Sequence, residues 1–283
     1  MCINGLLLLV IFVLVIVVAV MYKMNQKPVI VEVTTASCES FTQPAVEVNG
    51  AVLFATYNVD EDDYRFVERW SKDVPFYVVN NGEVNEWARK VKALPNVSFM
   101  ERDNNGLDIG AWKAGMHKWD RELKKRDVIA FINCSIVCAF DLKQLMVNAL
   151  QYDVYGLTAY TKKPVGTMIQ TPCMFVNKRM YNSDFFKEHW DGLKDEDCSY
   201  MYAVFNHEYG FSRKLRDKGF KVGAYDIING NSMYKEGKKD AMYKREYIKK
   251  KKAFIRGKRE NPHEILNKNI ESNRANGYYV SFN

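Results

Sequence analysis

The sequence predicts an α/β protein built on a mostly parallel sheet flanked by helices. Three observations carry that expectation. Short, continuously apolar runs recur along the chain; amphipathic stretches of helical period separate them; and small polar residues follow the ends of the runs. Apolar strands that alternate with helices imply parallel neighbours whose two faces are both covered. A length of 283 residues with 47% hydrophobic content suits one large domain with an appendage and excludes a disordered chain.

The first charged side chain is Lys23, and the run Leu6 to Met21 before it is almost wholly aliphatic. Such a run just spans a bilayer. It is long for a signal peptide, the competing reading, and no small-x-small cleavage pattern closely follows Met21. Residues 1–24 therefore read as an uncleaved, single-pass membrane anchor. Lys23 and Lys27 after the span place the remainder on the cytosolic side by the positive-inside rule, with a lumenal domain behind a short stem as the alternative. Residues 25–49 are polar, with Thr34, Thr35, Ser37, Ser40 and two prolines, and read as a linker. The domain proper is expected over 50–232.

Within it, Ala51 to Tyr57 is a buried strand, Asp63 to Lys72 a helix, and Pro75 to Asn80 a strand stopped by Asn81-Gly82. Val84 to Ala93 is helical, Val97 to Met100 a third strand, and Ala111 to Leu123 an amphipathic helix. Val128 to Asn133, Val154 to Thr158 and Cys173 to Val176 supply further strands. Residues 233–283 are expected as a basic helical extension. From Tyr234 to Arg259 there are twelve Lys or Arg against three acids, a balance of +9 that leaves the rest of the chain near −2. A solvated helix face is the plain reading of that run, and attraction to anionic lipid beside the anchor is the functional one. No recognised binding motif accompanies it, so nucleic acid is not expected as a partner.

Six cysteines occur, with no Cys-x-x-Cys and only four histidines, which argues against structural zinc. Cys134 and Cys138 read as small core residues. Asn96-Val97-Ser98 and Asn133-Cys134-Ser135 fit the N-glycosylation pattern, which arises often by chance and settles no compartment.

The segment Asn104 to Gly115 concentrates the chemistry. Two glycines, an acid and an aromatic sit where a strand gives way to a helix, and the carboxyl ends of strands are where open α/β sheets bind ligands. Gly106 and Gly110 permit backbone conformations or close approaches that a side chain would forbid. Asp108, at the helix start, is placed to cap free amides or hold a ligand hydroxyl. The other strand ends, at Thr56 and Asn58, Asn80 and Asn81, and Asn133 and Ser135, would add polar groups along one rim.

The order of motifs resembles glycosyltransferases of the GT-A type, and most closely the rhamnan synthesis protein F-like group. The matching pieces are Asn104 to Lys113, Phe131 to Ser135, Val154 to Thr158, Gln170 to Val176, Glu208-Tyr209-Gly210-Phe211-Ser212-Arg213, Gly219 to Val222 and Asn261 to Lys268. The resemblance covers about Ala51 to Arg274. It implies a GT-A-like, Rossmann-type sheet and transfer of a sugar, rhamnose or another deoxyhexose, from a nucleotide-sugar donor to a glycan acceptor, with inversion. It implies that Thr56, Tyr57, Asn58, Asn80, Asn105, Gly106, Asp108, Trp112, Lys113, Asn133, Ser135 and Arg213 face the donor and that Glu208 is the catalytic base. Asn133 and Ser135 stand where the group usually carries Asp-x-Asp, the holder of Mg²⁺ or Mn²⁺. Asn133-Cys134-Ser135 has no carboxylate, which counts against that metal.

Plainer readings accompany several of these residues. Glu208 and Arg213 suit a surface helix ion pair, His207 a polar surface group, and Trp112 core packing. Asp60 to Asp63 suits a helix start favoured by the dipole, and Tyr278 and Tyr279 suit the sealing of an edge. A non-catalytic nucleotide-sugar or glycan-binding relative, or a basic membrane scaffold, are the alternative functions.

Overall fold

The computed structural model describes residues 47–138, 141–162, 166–170, 172–194, 202–229, 247–249, 254–255 and 258–259. The expected anchor, nearly all of the expected linker, and Tyr278 and Tyr279 lie outside the described residues. No helix among the described residues is long and apolar enough to cross a membrane.

Strand β1 (Gly50–Thr56) is buried along its whole length, as is β2 (Phe76–Asn80). With β3 (Val97–Glu101) and β4 (Val128–Asn133) they form a parallel set in the order β3-β2-β1-β4. The next strands are β5 (Ile136–Cys138), β6 (Val154–Lys162), β7 (Gly166–Ile169), β8 (Cys173–Asn177) and β9 (Val222–Asn229). The large sheet continues from β4 through β8 and β6 to β7, and β9 pairs with β6.

This sheet is mixed: β1, β2, β3, β4, β6 and β9 run one way, and β7 and β8 run the other. β8 runs antiparallel to both β4 and β6, and β7 runs antiparallel to β6. The cause is loop length. Only a few residues join β6 to β7, too few for the crossover of a dozen or more that a parallel return needs, so the chain turns back on β6; β8 follows β7 in the same direction along β6 and so lies antiparallel to it as well.

Helices cover both faces. On one lie α1 (Glu61–Trp70), α2 (Glu86–Lys92) and α4 (Leu142–Ala149), packed on Val52, Phe54, Val78, Ala130 and Ile132. On the other lie α3 (Leu107–Leu123), α5 (Lys178–Tyr181), α6 (Asp184–Asp191) and α7 (Gly210–Asp217), packed on Leu53, Ala55, Val79, Ile129 and Phe131. Alternate residues of β1 thus serve opposite cores, as a two-residue period requires. A π-helix, Ala203–Tyr209, leads directly into α7.

The acids Asp60 to Asp63 act at a helix start. The Asp60 carboxylate accepts the Asp63 amide at 2.9 Å, and the Asp63 carboxylate accepts the Asp60 amide at 3.3 Å, a reciprocal cap of α1. Among the described residues no group of three or more His, Cys, Asp or Glu is placed to hold a metal ion.

The expectation of a helical basic extension fails where the structure describes it. Its described parts are three short strands: β10 (Tyr247–Lys249), β11 (Phe254–Ile255) and β12 (Lys258–Arg259). β11 and β12 pair with each other, and β10 pairs antiparallel with β5. Charge density suggested a solvated helix face, but an edge strand such as β5 offers unpaired backbone groups that a neighbouring segment can satisfy.

Candidate functional site

The chain order reverses between β1 and β4: β2 and β3 are added on one side of β1, and β4 on the other. Strand ends diverge at such a switch point and leave a crevice outside their carboxyl ends. α3 starts there. It returns from the β3 edge across β2 and β1, and Gly115 lets it approach closely, since a Cβ there would come within 2.6 Å of Leu53 and 3.0 Å of Val79.

The rim is tied together by amides. Asn58 takes a left-handed conformation at φ 55°, and its Oδ1 accepts the Glu83 amide at 3.0 Å. A Cβ on Gly82 would lie 2.2 Å from that oxygen, so only glycine fits. Asn80 is fully buried and donates from Nδ2 to the carbonyls of Gly82 and Glu83. Asn81 donates to the carbonyl of Leu107 at 2.7 Å and to Asn104 at 3.2 Å. Arg102 spans two loops: one guanidinium nitrogen donates to Asn81 at 3.1 Å, the other to the carbonyl of Asn105 at 2.8 Å. Gly110 is locked against this arch, because a Cβ would sit 2.1 Å from the Asn105 carbonyl oxygen. Asn105 itself is exposed at the rim.

Gly106 and Leu107, both at positive φ, turn the chain into α3, and no side chain caps the helix from the Gly106 position. Asp108 takes part of that work, with one carboxylate oxygen accepting the Ile109 amide at 3.1 Å. The other accepts from Asn133 Nδ2 at 2.6 Å, which joins the start of α3 to the end of β4. Asn133 Oδ1 in turn accepts from Ser135, from its amide at 3.0 Å and its hydroxyl at 2.5 Å. Burial pushes the Asp108 carboxyl above its ordinary pKa, and the Asn133 hydrogen bond opposes that rise. With Asn133 only 9% exposed and its amide bonded to Asp108, the Asn133-Cys134-Ser135 sequon is not displayed for glycosylation.

These residues do not fit a Mg²⁺ or Mn²⁺ site. Hard cations require several ionised or carbonyl oxygens. The loop offers one carboxylate, Asp108, whose two oxygens already accept from the Ile109 amide and Asn133, and one carboxamide oxygen whose two lone pairs are both engaged by Ser135.

The remaining expected residues divide by depth. Tyr57 stands open at the rim, 56% exposed. Thr56 is buried, and its hydroxyl donates to Asp63 at 3.0 Å, tying β1 to the cap of α1. Lys113 donates to the Leu193 carbonyl at 2.6 Å, just beyond α6. Trp112 is 0% exposed and cannot face a donor, which corrects that expectation and leaves the core-packing reading. Its ring packs edge-on to Phe131 and Trp190 at centroid distances of 5.9 and 6.3 Å.

His207 is also a correction, being buried at 1% exposure rather than a surface group. Its Nδ1 lies 3.1 Å from Nε2 of His189, and the two rings stack. Sequence reading missed both His189 and Arg102. Arg102 carried a weak signal, a cation at a strand end before three polar residues; His189, among the charged residues of α6, carried none.

Glu208, half-buried, follows His207 in the π-helix. The His207 ring lies 6.4 Å from that of Trp112, which is one turn beyond Asp108 on α3, so the π-helix is packed against the helix that carries Asp108. Arg213 is on the exposed face of α7, opposite buried Phe211 and Leu215. A separate surface depression of about 420 Å³ lies against α6 and α7, lined by Phe185, Glu188, His189, Lys214, Asp217 and Lys218. None of the expected site residues lines it.

Comparison with known proteins agrees with the motif order. The family described as rhamnan synthesis protein F matches residues 76–269, more than half of the chain. The protein belongs to the rhamnan synthesis protein F family. Within this member of the family, β2 to β9, the Asp108–Asn133 contact, Glu208 and β10 all fall inside the matched region. No curated protein matches. Among solved structures, the chain is similar to HddC from Yersinia pseudotuberculosis (11% identity, 62% of this chain and 90% of that one, TM-score 0.40). It is similar to the glycosyltransferase GlyE of Streptococcus pneumoniae (12% identity, 63% of this chain and 45% of that one, TM-score 0.36). It is also similar to a 4-diphosphocytidyl-2C-methyl-D-erythritol synthase from Anaerococcus prevotii (10% identity, 80% and 100%, TM-score 0.43).

Proposed function

We propose that the protein is an inverting glycosyltransferase that moves a sugar, rhamnose or another deoxyhexose, from a nucleotide-sugar donor to a glycan acceptor. The observation that carries this reading is the meeting of Asp108 and Asn133 at 2.6 Å, at the switch point of a sheet in a member of the rhamnan synthesis protein F family. Polar groups on strand ends at such a point are suited to a nucleotide and its sugar. In this reading Tyr57, Asn58 and Asn105, exposed at the rim, line the nucleotide; buried Asn80 and Gly106, expected to face the donor, instead shape the loops behind it; Asp108 and Asn133 fix the donor, and Arg213 faces the diphosphate. The apolar run Leu6 to Met21 supports a single-pass membrane anchor, with the domain held beside its glycan acceptor.

Glu208 takes the proton from the acceptor hydroxyl as that oxygen bonds to the anomeric carbon. The bond from that carbon to the diphosphate oxygen breaks, and the nucleoside diphosphate leaves. The setting of Glu208 supports this role, since π-helical segments are rare and recur at functional sites. The test is a panel of nucleotide sugars offered to the full chain, with donor hydrolysis and transfer measured. At least one donor should turn over, and Glu208→Gln should lower turnover about a hundredfold while nucleotide binding persists. Unchanged turnover in that variant would remove Glu208 from the mechanism. Nucleotide binding with every donor left intact would favour a binding protein.

A further inference from the structure

The depression against α6 and α7 has no part in the chemistry above. Its volume of about 420 Å³ falls in the range of small-ligand clefts, about 300–1,000 Å³. Four charged side chains line it: the acids Glu188 and Asp217 and the amines Lys214 and Lys218. All four are exposed, and among the described residues none of their side chains forms an ion pair or a hydrogen bond. Two acids against two amines cancel. His189, at the floor, adds no charge, because burial drives its pKa down to about 3. A phosphate or sulfate is drawn to a lining of net positive charge, and a cation to one of net negative charge. Uncommitted acceptors and donors in equal number suit a neutral ligand rich in hydroxyl groups instead.

Two further observations point the same way. Phe185 is half-buried and is backed by Phe220 and Phe211 at centroid distances of 4.7 and 6.1 Å, so it brings a fixed ring to the wall. The C–H face of a pyranose packs well on such a ring. His189 is only 3% exposed, yet its Nδ1 has no hydrogen-bond partner among the described residues. Its Nε2 shares one proton with Nδ1 of His207, so Nδ1 is a donor in one tautomer and an acceptor in the other. A hydroxyl, donor and acceptor at once, serves that nitrogen in either tautomer. The depression is also near the proposed base. α7 continues the π-helix that carries Glu208, and Lys214 follows Glu208 by about 9 Å along that run, at about 1.5 Å per residue.

We propose that this depression is a saccharide-binding site, separate from the nucleotide crevice, that holds a neutral sugar unit of the glycan acceptor away from its reacting end. The saccharide chemistry follows from the lining alone; the assignment to the acceptor rests on the transferase reading above. Glu188 and Asp217 accept from ring hydroxyls, Lys214 and Lys218 donate to them, and Phe185 supports the apolar face.

The test is titration of the full chain with neutral hexasaccharides of rhamnose, glucose and galactose, and with a sulfated heparin hexasaccharide, followed by calorimetry and by nuclear magnetic resonance of the imidazoles. At least one neutral saccharide should bind, with an affinity that changes within about twofold between low and high salt. It should shift the His189 signals, which are assigned by their absence from His189→Phe. Joint replacement Glu188→Ala and Asp217→Ala, at exposed positions without ion pairs, should weaken that saccharide at least about tenfold and leave the melting temperature unchanged. With an active donor, the same double variant should raise the acceptor KM at least about fivefold with kcat and donor hydrolysis unchanged. Equal saccharide affinity in the double variant, or still His189 signals, would overturn the inference. Binding of the sulfated hexasaccharide alone would also overturn it, by reducing the depression to its two lysines. Neutral saccharide bound with the expected signature, by a chain that turns over no donor, would uphold the site and sink the transferase reading.

Discussion

Two polar pairs on the same side of the sheet have opposite fates. Asp108 and Asn133 meet at the strand ends, beside exposed Asn105 and Tyr57, in a chain of hydrogen bonds that reaches Ser135. His189 and His207 meet deeper, ringed by Trp112, Trp190 and Phe211. Both pairs join distant segments. The first sets an ionisable carboxylate just behind the exposed residues of the rim. The second is buried among aromatic rings, with only an edge of His189 at the floor of the depression against α6 and α7, and burial drives the pKa of His189 down to about 3 and that of His207 well below the ordinary histidine value. Neutral imidazoles in that setting glue the π-helix to α6. Depth below the rim, more than residue type, distinguishes the two pairs.

The sharpest way to break the comparison is Gly110→Ala. The added methyl would need the space of the Asn105 carbonyl, and the loop around Asn81, Arg102 and Asn105 would be displaced. Nucleotide affinity should fall at least about a hundredfold, and stability by about 1–3 kcal/mol, as for overpacking elsewhere. Equal affinity in the variant would mean that the rim network does not shape the site.

A second prediction addresses the buried pair. Both histidines bind protons in the unfolded chain below about pH 6.5 but resist them when folded, so unfolding takes up protons and stability drops as pH falls. The loss should begin near pH 6.5, reach about 1.4 kcal/mol per pH unit for each histidine, and continue toward about pH 3, where His189 titrates in the folded state. Chemical denaturation between pH 7.5 and 5 should show this slope, and His189→Phe should remove about half of it. A flat profile in the unaltered protein would show that the pair is not buried as described.

The smallest effect sharpens the contrast most. The folded-state pKa of Asp108 is raised, so the folded protein binds the proton more tightly, and its charge costs stability as pH rises through the ordinary carboxylate range. Asp108→Asn removes that cost, so the melting temperature should hold or rise while donor affinity falls about tenfold, the scale of one lost charge-assisted hydrogen bond. A fall in melting temperature with no change in affinity would make Asp108 a scaffold residue like His207.

Much of the fold was legible because burial writes itself into local pattern. The apolar runs of β1, β2 and β4 needed no partner to be recognised, and their ends marked the rim. The motif order also pointed to the family that the chain matches. β7, β9 beyond its first residue, and the pairing of β10 with β5 were not legible. Their strand character comes from partners brought together by folding. Trp112 misled for a related reason: an aromatic after a glycine turn has the same spacing whether it faces a crevice or a core.

By itself, the amino-acid order determined which segments are strands buried on both faces, where polar residues follow them, and which family the chain resembles. These properties depend on neighbours a few residues away, through the two-residue and 3.6-residue periods of side-chain direction. Only the tertiary structure decided that Asp108 touches Asn133, that His207 is sealed while Glu208 beside it stays half-buried, and that Lys249 lies along β5. Those outcomes depend on strand order and register, which are set by contacts between residues remote in the chain and by the water that each contact excludes.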